Sequence, residues 1–404
     1  MNIRRLWTDW LIAIGFLREG RSQSLMIIGG VAIGVAVIVF ISALIQGLQA
    51  NLIERTLGTQ AHISLHAPQQ VNQIVTQPNV VQMIYEDKRA QRLRSINNWQ
   101  QVIQQLDQMS MLKAVSPMVS GPALVKRGDA IQSVAIMGVD LARYQRIVPL
   151  QDYLTQGQVR LKADDVLIGS EMAKDLGVRV GSKIRLDNGL NVNAVMNVAG
   201  IFELGVRELD SRYMYVDLKR AQSLLNLPGG VTVIDLRIDD IFAAEDVAAQ
   251  MNRLTGLKAD SWIGSNAQLM NAISAQSLST NMIIVFVGIS VAFAIASVLS
   301  ISVVQRTREI GILRATGASR EQILVIFLIQ GAVFGLLGSI LGILTSYALV
   351  WSFNQFGPGL FYIPISPSLI ASALLLATLS GLIAAAIPAR RAARLDPVEA
   401  IRHV

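Results

Sequence analysis

Four apolar runs divide this chain, at residues 25–48, 277–304, 323–351 and 368–387. Each suffices to cross a bilayer as a helix, since about twenty residues rising 1.5 Å apiece span a hydrocarbon core roughly 30 Å thick. Their spacing is uneven. A long polar stretch, residues 49–276, separates the first run from the second, whereas residues 305–322 and 352–367 are the only connections among the last three. Four crossings return the chain to the side on which it began. The sequence therefore predicts a membrane protein of four transmembrane α-helices, with both flanking segments on one face and one large domain on the other.

Charge decides which face is which. The 404 residues carry a net charge of +7, yet only 16% are charged and 52% are hydrophobic, with a mean hydropathy of +0.46. Twelve arginines against six acidic residues lie in just three places: before the first run, between the second and third, and after the fourth. That surplus of six accounts for nearly all the basicity. It is the positive-inside pattern, and it places those segments in the cytoplasm. A basic face for nucleic acid is thereby excluded. With no cysteine, the chain has no disulfides and no thiolate chemistry, so a domain on the outer side must rely on its apolar core.

The cytoplasmic segments are short and patterned. Residues 1–24 place Leu6, Trp7, Trp10, Leu11 and Ile14 at helical spacing between arginines, as in an amphipathic helix lying in the membrane surface. The next run, 25–48, is too long for the apolar part of a signal peptide and reads as an uncleaved anchor. The loop QRTREIGILRATGASREQI alternates Ile310, Leu313 and Ala318 with Arg308, Arg314 and Glu321, and breaks at Gly317. A half-apolar loop helix suits docking of a cytoplasmic partner; a charged hairpin that only fixes topology is the other reading. In the tail, 388–404, Pro388 is expected to break the last membrane helix, and Asp396-Pro397 to start a final turn. Within the runs, Gly30 with Gly34, Gly331 with Gly335 and Gly338 with Gly342 are four apart, a spacing that permits close helix packing.

Residues 49–276 have the texture of a globular α+β domain. A glutamine-rich stretch leads into an amphipathic helix over about 96–109, and short strand patterns follow in ALVKRG, IQSVAIMGVD, DVLIGS, KIRLDNG, NVNAVMNVAGIF and RYMYVDL. EMAKDLGV, RAQSLLNL and IFAAEDVAAQMNRL read as helices, and VTVIDLRID as a further strand. The expected division is an outer part, about 49–116 and 213–276, carrying an inserted subdomain at about 117–212.

Several chemistries are missing. The sequence has no G-x-x-x-x-G-K-[ST], GVRVGSKI having the wrong spacing, and no G-x-S-x-G or H-E-x-x-H. His62 and His66 share a strand pattern but lack a carboxylate cluster, so no metal site is expected. No ionisable residue lies within the four runs, where an ion-coupled carrier would need one.

The loop QRTREIGILRATGASREQI, the tail PARRAARLDPVEAIR and the opening LREGRSQSLMIIGGVAIGVAV, in an order of one span, a large domain and three spans, resemble the permease subunits of the FtsX/MacB/Lol (type VII) superfamily of ABC transporters. The resemblance implies a bacterial inner-membrane location with the large domain in the periplasm. It implies that the chain is no enzyme and holds no cofactor, ATP and Mg being bound by a separate cytoplasmic ABC ATPase subunit. Arg308, Glu309, Gly311, Arg314, Ala315, Gly317 and Ala318 would then form the ATPase-coupling contact. Further implied partners are a second permease copy or a homologous permease, a periplasmic carrier or adaptor protein, and membrane lipid.

Within the superfamily, VLIGSEMAKDLGVRVGSKIRL and VAGIFELGVRELDSRYMYVDLKRAQSLL are most similar to the lipoprotein-releasing, LolC/LolE-like branch. By that likeness Val35, Val39, Ile41, Met282, Phe286 and Phe293 would hold acyl chains. The alternatives are a MacB-like efflux permease working with an adaptor and an outer-membrane duct, and an FtsX-like signalling module for cell-wall hydrolases.

Overall fold

In the computed structural model, residues 3–19, 21–68, 93–188, 193–359 and 361–395 are described. The expected turn at Asp396-Pro397 and most of the glutamine-rich stretch lie outside them. The chain divides into two compact units, residues 1–52 with 271–404, and residues 53–270.

It opens with α1 (Ile3–Glu19) and α2 (Arg21–Gly58). Then come β1 (Ile63–His66), α3 (Trp99–Leu106), β2 (Leu112–Arg127), β3 (Ala130–Val139), α4 (Leu141–Tyr144), β4 (Leu154–Gly157) and β5 (Asp165–Gly169). α5 (Ser170–Asp175), β6 (Lys183–Asp187), β7 (Asn193–Phe202), α6 (Arg207–Arg212), β8 (Tyr213–Asp217) and α7 (Leu218–Leu224) follow. The unit closes with β9 (Val233–Ile238), α8 (Ala244–Thr255), β10 (Lys258–Ser261) and α9 (Trp262–Ser265). Last are α10 (Ala267–Gln305), α11 (Thr307–Ala315), α12 (Arg320–Phe356) and α13 (Pro367–Ala393).

One ten-stranded sheet runs through the second unit in the order β10-β1-β9-β2-β3-β8-β5-β7-β4, with β6 pairing β2 and β7. β3–β8 and β5–β7 are parallel, and the remaining pairs antiparallel. Residue 117 falls inside β2 and residue 212 ends α6, directly before β8, so strands from both expected parts share the one sheet. Alternation puts Ile63, Leu65, Val119, Ile136 and Leu236 into one core, beneath α3, α5, α7 and α8. The opposite face carries Met118, Met137, Phe202, Tyr215 and Val233, covered by Tyr144, Ile147 and Leu150 around α4. Aspartates cap the short helices, as Asp140 accepts from Ala142 N and Asp217 from Lys219 N. Gly256, at φ 65°, ends α8 in the left-handed region a side chain would resist.

Two buried carboxylates have neutral hydrogen-bond partners: Asp210, which accepts from Leu204 N and Gly205 N, and Asp235. Asp235 on β9 lies in register with Ser64 of β1 and Ser116 of β2, and its Oδ1 accepts from Ser64 Oγ at 2.7 Å. It is 4% exposed, and burial pushes its carboxyl up to about 6. Tyr144, Tyr213 and Tyr215 lie near it, each raised chiefly by burial.

The first unit holds four helices long and apolar enough to cross a membrane, α2, α10, α12 and α13. Glycines order their packing. Gly331, Gly335, Gly338 and Gly342, spaced four, three and four, form a single stripe on α12. A Cβ on Gly331 would lie 2.4 Å from Gly381 O, and one on Gly335 2.5 Å from Ala377 O, both on α13. Further along, a Cβ on Gly338 would lie 2.5 Å from Val31 Cγ1 and one on Gly342 2.6 Å from Ala32 O, both on α2. The stripe thus changes partner halfway. Of the remaining pair, Gly34 packs against Val291 of α10, whereas Gly30 is exposed with no atom within 4 Å of a built Cβ. The rotation of α2 that seats Val31 against Gly338 turns Gly30 away from the other helices of this chain.

Pro388 also departs from expectation, because α13 continues through it to Ala393. Proline removes one backbone donor, a loss a long buried apolar helix tolerates when its neighbours hold it straight. Pro388 and its neighbours Ala384, Ala385, Ala389 and Ala392 are all buried.

Candidate functional site

The cytoplasmic loop forms α11, and two arginines fasten it. Arg306, only 9% exposed, donates from Nη2 to Phe16 O at 2.7 Å and lies 4.7 Å above the Phe16 ring. Phe16 O is in the last turn of α1, where carbonyls lack intrahelical partners and the helix dipole favours a cation. Arg314 Nη1 donates to Ala393 O at 3.2 Å, at the C-terminal end of α13. Both cations therefore cap helix ends. Gln23 Nε2 further donates to Gln305 Oε1 at 2.9 Å, joining the cytoplasmic ends of α2 and α10. A capping box at Ser319 and Gln322 starts α12, and Gly317, at φ 106°, makes the turn that precedes it.

α11 has two faces. Ile310 and Gly311 are buried, and Leu313, Arg314 and Ala318 are half-buried against the chain's own helices. Arg308, Glu309, Ile312, Ala315 and Thr316 are exposed along one side, with Gly317 exposed beyond them. Ile312 is 48% exposed and lines an apolar cleft of about 410 Å³ with Ile12, Gly15, Phe16 and Leu313, Glu309 at its rim. Of the residues expected at the coupling contact, Arg308, Glu309, Ala315 and Gly317 share the exposed face. Gly311 is buried, Ala318 is half-buried, and half-buried Arg314 donates to Ala393 O.

Sequence reasoning passed over Ile312, Arg306 and Phe16. The first was legible in principle, since Arg308, Ile312 and Ala315 share a helical stripe. The Arg306–Phe16 contact spans 290 positions and left no local trace.

The residues expected to hold acyl chains do not form one surface. Val35 and Val39 are buried inside the bundle, Val35 beneath Gly342. Ile41 is half-buried. Met282, Phe286 and Phe293 are 54%, 68% and 73% exposed on α10 and lie along one face of it.

His62 and His66 both have partners within the sheet. His62 Nδ1 accepts from Ile238 N, and burial first, then Arg237, hold its pKa below the usual range. His66 lies 3.9 Å from Asp260, and among the described residues no group of three potential metal ligands occurs.

Comparison with known proteins accords with this architecture. Residues 24–254 match the MacB-like periplasmic core domain and residues 281–397 the FtsX-like permease C-terminal family. The lipoprotein-releasing system transmembrane protein LolC of Xylella fastidiosa is 25% identical over 97% of this chain and 98% of its own length. LolE of Haemophilus influenzae is 27% identical over 92% of each chain. The macrolide export ATP-binding/permease protein MacB of Acinetobacter baylyi is 26% identical over 98% of this chain but only 60% of its own. Four apolar helices, a periplasmic-type α+β domain and these two family matches place the chain in the FtsX/MacB/Lol superfamily, as an ABC-transporter permease of the inner membrane.

Proposed function

We propose that this permease works with a separate cytoplasmic ATPase to release lipoproteins from the inner membrane. The observation that carries this reading is the end-to-end likeness to LolC, with 98% of the relative covered. The sequence has no P-loop, so ATP and Mg are assigned to the partner chain. The exposed face of α11 and the adjoining cleft are the surface offered to that partner. Force received there passes into α1 and α13 through Arg306 and Arg314, and into α10 through the short Gln305–Arg306 junction. α2 and α10 are unbroken helices of 38 and 39 residues, and act as levers on the periplasmic domain.

A cargo lifted from the outer leaflet needs no polar path through the bilayer, consistent with runs that hold no ionisable residue. Met282, Phe286 and Phe293 give α10 an apolar face for acyl chains or a second permease. The test is purification in mild detergent followed by mass spectrometry of co-eluting proteins and lipidated peptides. An ATPase arriving with triacylated lipoprotein supports release. A periplasmic adaptor without lipoprotein replaces this reading with MacB-like efflux, which the match to the MacB core favours as the second choice.

A further inference from the structure

The start of α3 and the turn between α7 and β9 enclose an open cleft of about 320 Å³. Its walls are stitched together. Ile96 N donates to Val231 O at 2.7 Å, Val231 N to Ser95 Oγ at 3.1 Å, and Gln222 Nε2 to Gly230 O at 2.8 Å. Trp99 Nε1 donates to Gly229 O at 2.9 Å, which fixes the indole and commits its only donor.

Two features distinguish the lining. First, among the described residues no charged side chain lines it, while Asn97, Asn98, Gln100 and Asn226 line it together with Trp99. Second, Asn98 and Asn226, at φ 51° and 53°, are the two non-glycine residues with positive φ among the described residues, and both line this cleft. Such backbone costs of order 1–3 kcal/mol each and concentrates at binding sites. Asn98 precedes α3 yet makes no side-chain cap bond, so its amide is not used to start the helix.

A planar amide offers one acceptor and two donors, the complement of neighbouring hydroxyls, and an indole face offers an apolar platform. Among the described lining residues, phosphates, carboxylates and ammonium groups find no counter-ion. We propose that this cleft binds one unit of a neutral glycan, stacked on Trp99 with hydroxyls paired to Asn98 and Asn226. The inference concerns the periplasmic domain alone and does not depend on the cargo assigned above.

The test uses the full chain in detergent and saturation-transfer NMR with glucose, N-acetylglucosamine and its β-1,4-linked disaccharide as probes. Glycine adopts positive φ freely, so the double variant Asn98→Gly, Asn226→Gly keeps the backbone and deletes only the amides. Saturation transfer to at least one probe is expected, weakened about tenfold in affinity by the double variant and also by Trp99→Ala. No transfer to any of the three sugars overturns the proposal, as does transfer that the double variant leaves unchanged. Transfer to a neutral Gly-Ser peptide but not to the sugars would reassign the cleft to polypeptide and equally overturn it.

Discussion

Replacing Asp235 by Asn should stabilise the periplasmic domain at neutral pH. The carboxyl is 4% exposed, its hydrogen-bond partner is the neutral Ser64, and its pKa is raised from 3.8 to about 6. Because the folded state keeps this proton to a higher pH than the unfolded chain, stability is complete below about pH 4. It falls as pH climbs through about 6 and is level above. The ionised group then costs roughly 3 kcal/mol. Asn cannot ionise and still presents an Oδ1 to Ser64. For a domain of this size the gain corresponds to roughly 6–12 °C in Tm at pH 7.5, shrinking toward zero at pH 4. Thermal unfolding of both proteins across that range, followed by calorimetry, measures the difference directly. An Asp235→Asn variant no more stable than the parent at pH 7.5 would refute the reasoning, since the ionised carboxylate would then be compensated.

The bundle and the cytoplasmic site give further expectations. Gly342→Leu should destabilise the protein in detergent by about 1–3 kcal/mol through overpacking against Ala32 and Val35, whereas Gly30→Leu should leave the melting temperature within error. Arg314→Ala should cost about 1 kcal/mol and, more tellingly, reduce the response of a partner ATPase to the permease, with Lys restoring part of it. Ile312→Asp should abolish co-purification of that ATPase without lowering the permease's own melting temperature, because the side chain is half exposed. Gly317→Ala should strain the turn at φ 106° by about 1–3 kcal/mol and shorten the lifetime of the folded loop in hydrogen exchange.

The spans, the loop helix and most strands could be read from the sequence because each is a local pattern. Apolar length marks α2, α10, α12 and α13, alternation marks the first halves of β3 and β7, and short apolar runs mark β5 and β9. What escaped is decided by partners distant in the chain. β10 is four residues long and exists as a strand by pairing with β1 across nearly 200 positions. Asp235 looks like an ordinary strand residue until β1 and β2 close over it. The glycine stripe on α12 was visible, but not that it exchanges α13 for α2 midway, nor that Gly30 faces outward. At the coupling site the spacing located α11 but not which side of it the chain's own helices cover. Gly311 and Arg314 turn inward because α1 and α13 supply carbonyls and apolar side chains that the loop alone does not reveal.

The pairing of β1 with β10 also has a mechanical meaning. Ile63, which follows α2 in the chain, lies opposite Ser261, which leads toward α10, so both connections leave this antiparallel ladder at the same end. A load that draws α2 and α10 the same way acts on the strand pair as one body and strains no hydrogen bond between them. A load that parts them acts on the ladder one rung at a time, starting from the Trp262 N–His62 O bond beside Ile63 and Ser261, with the buried Trp262 as the first point of resistance.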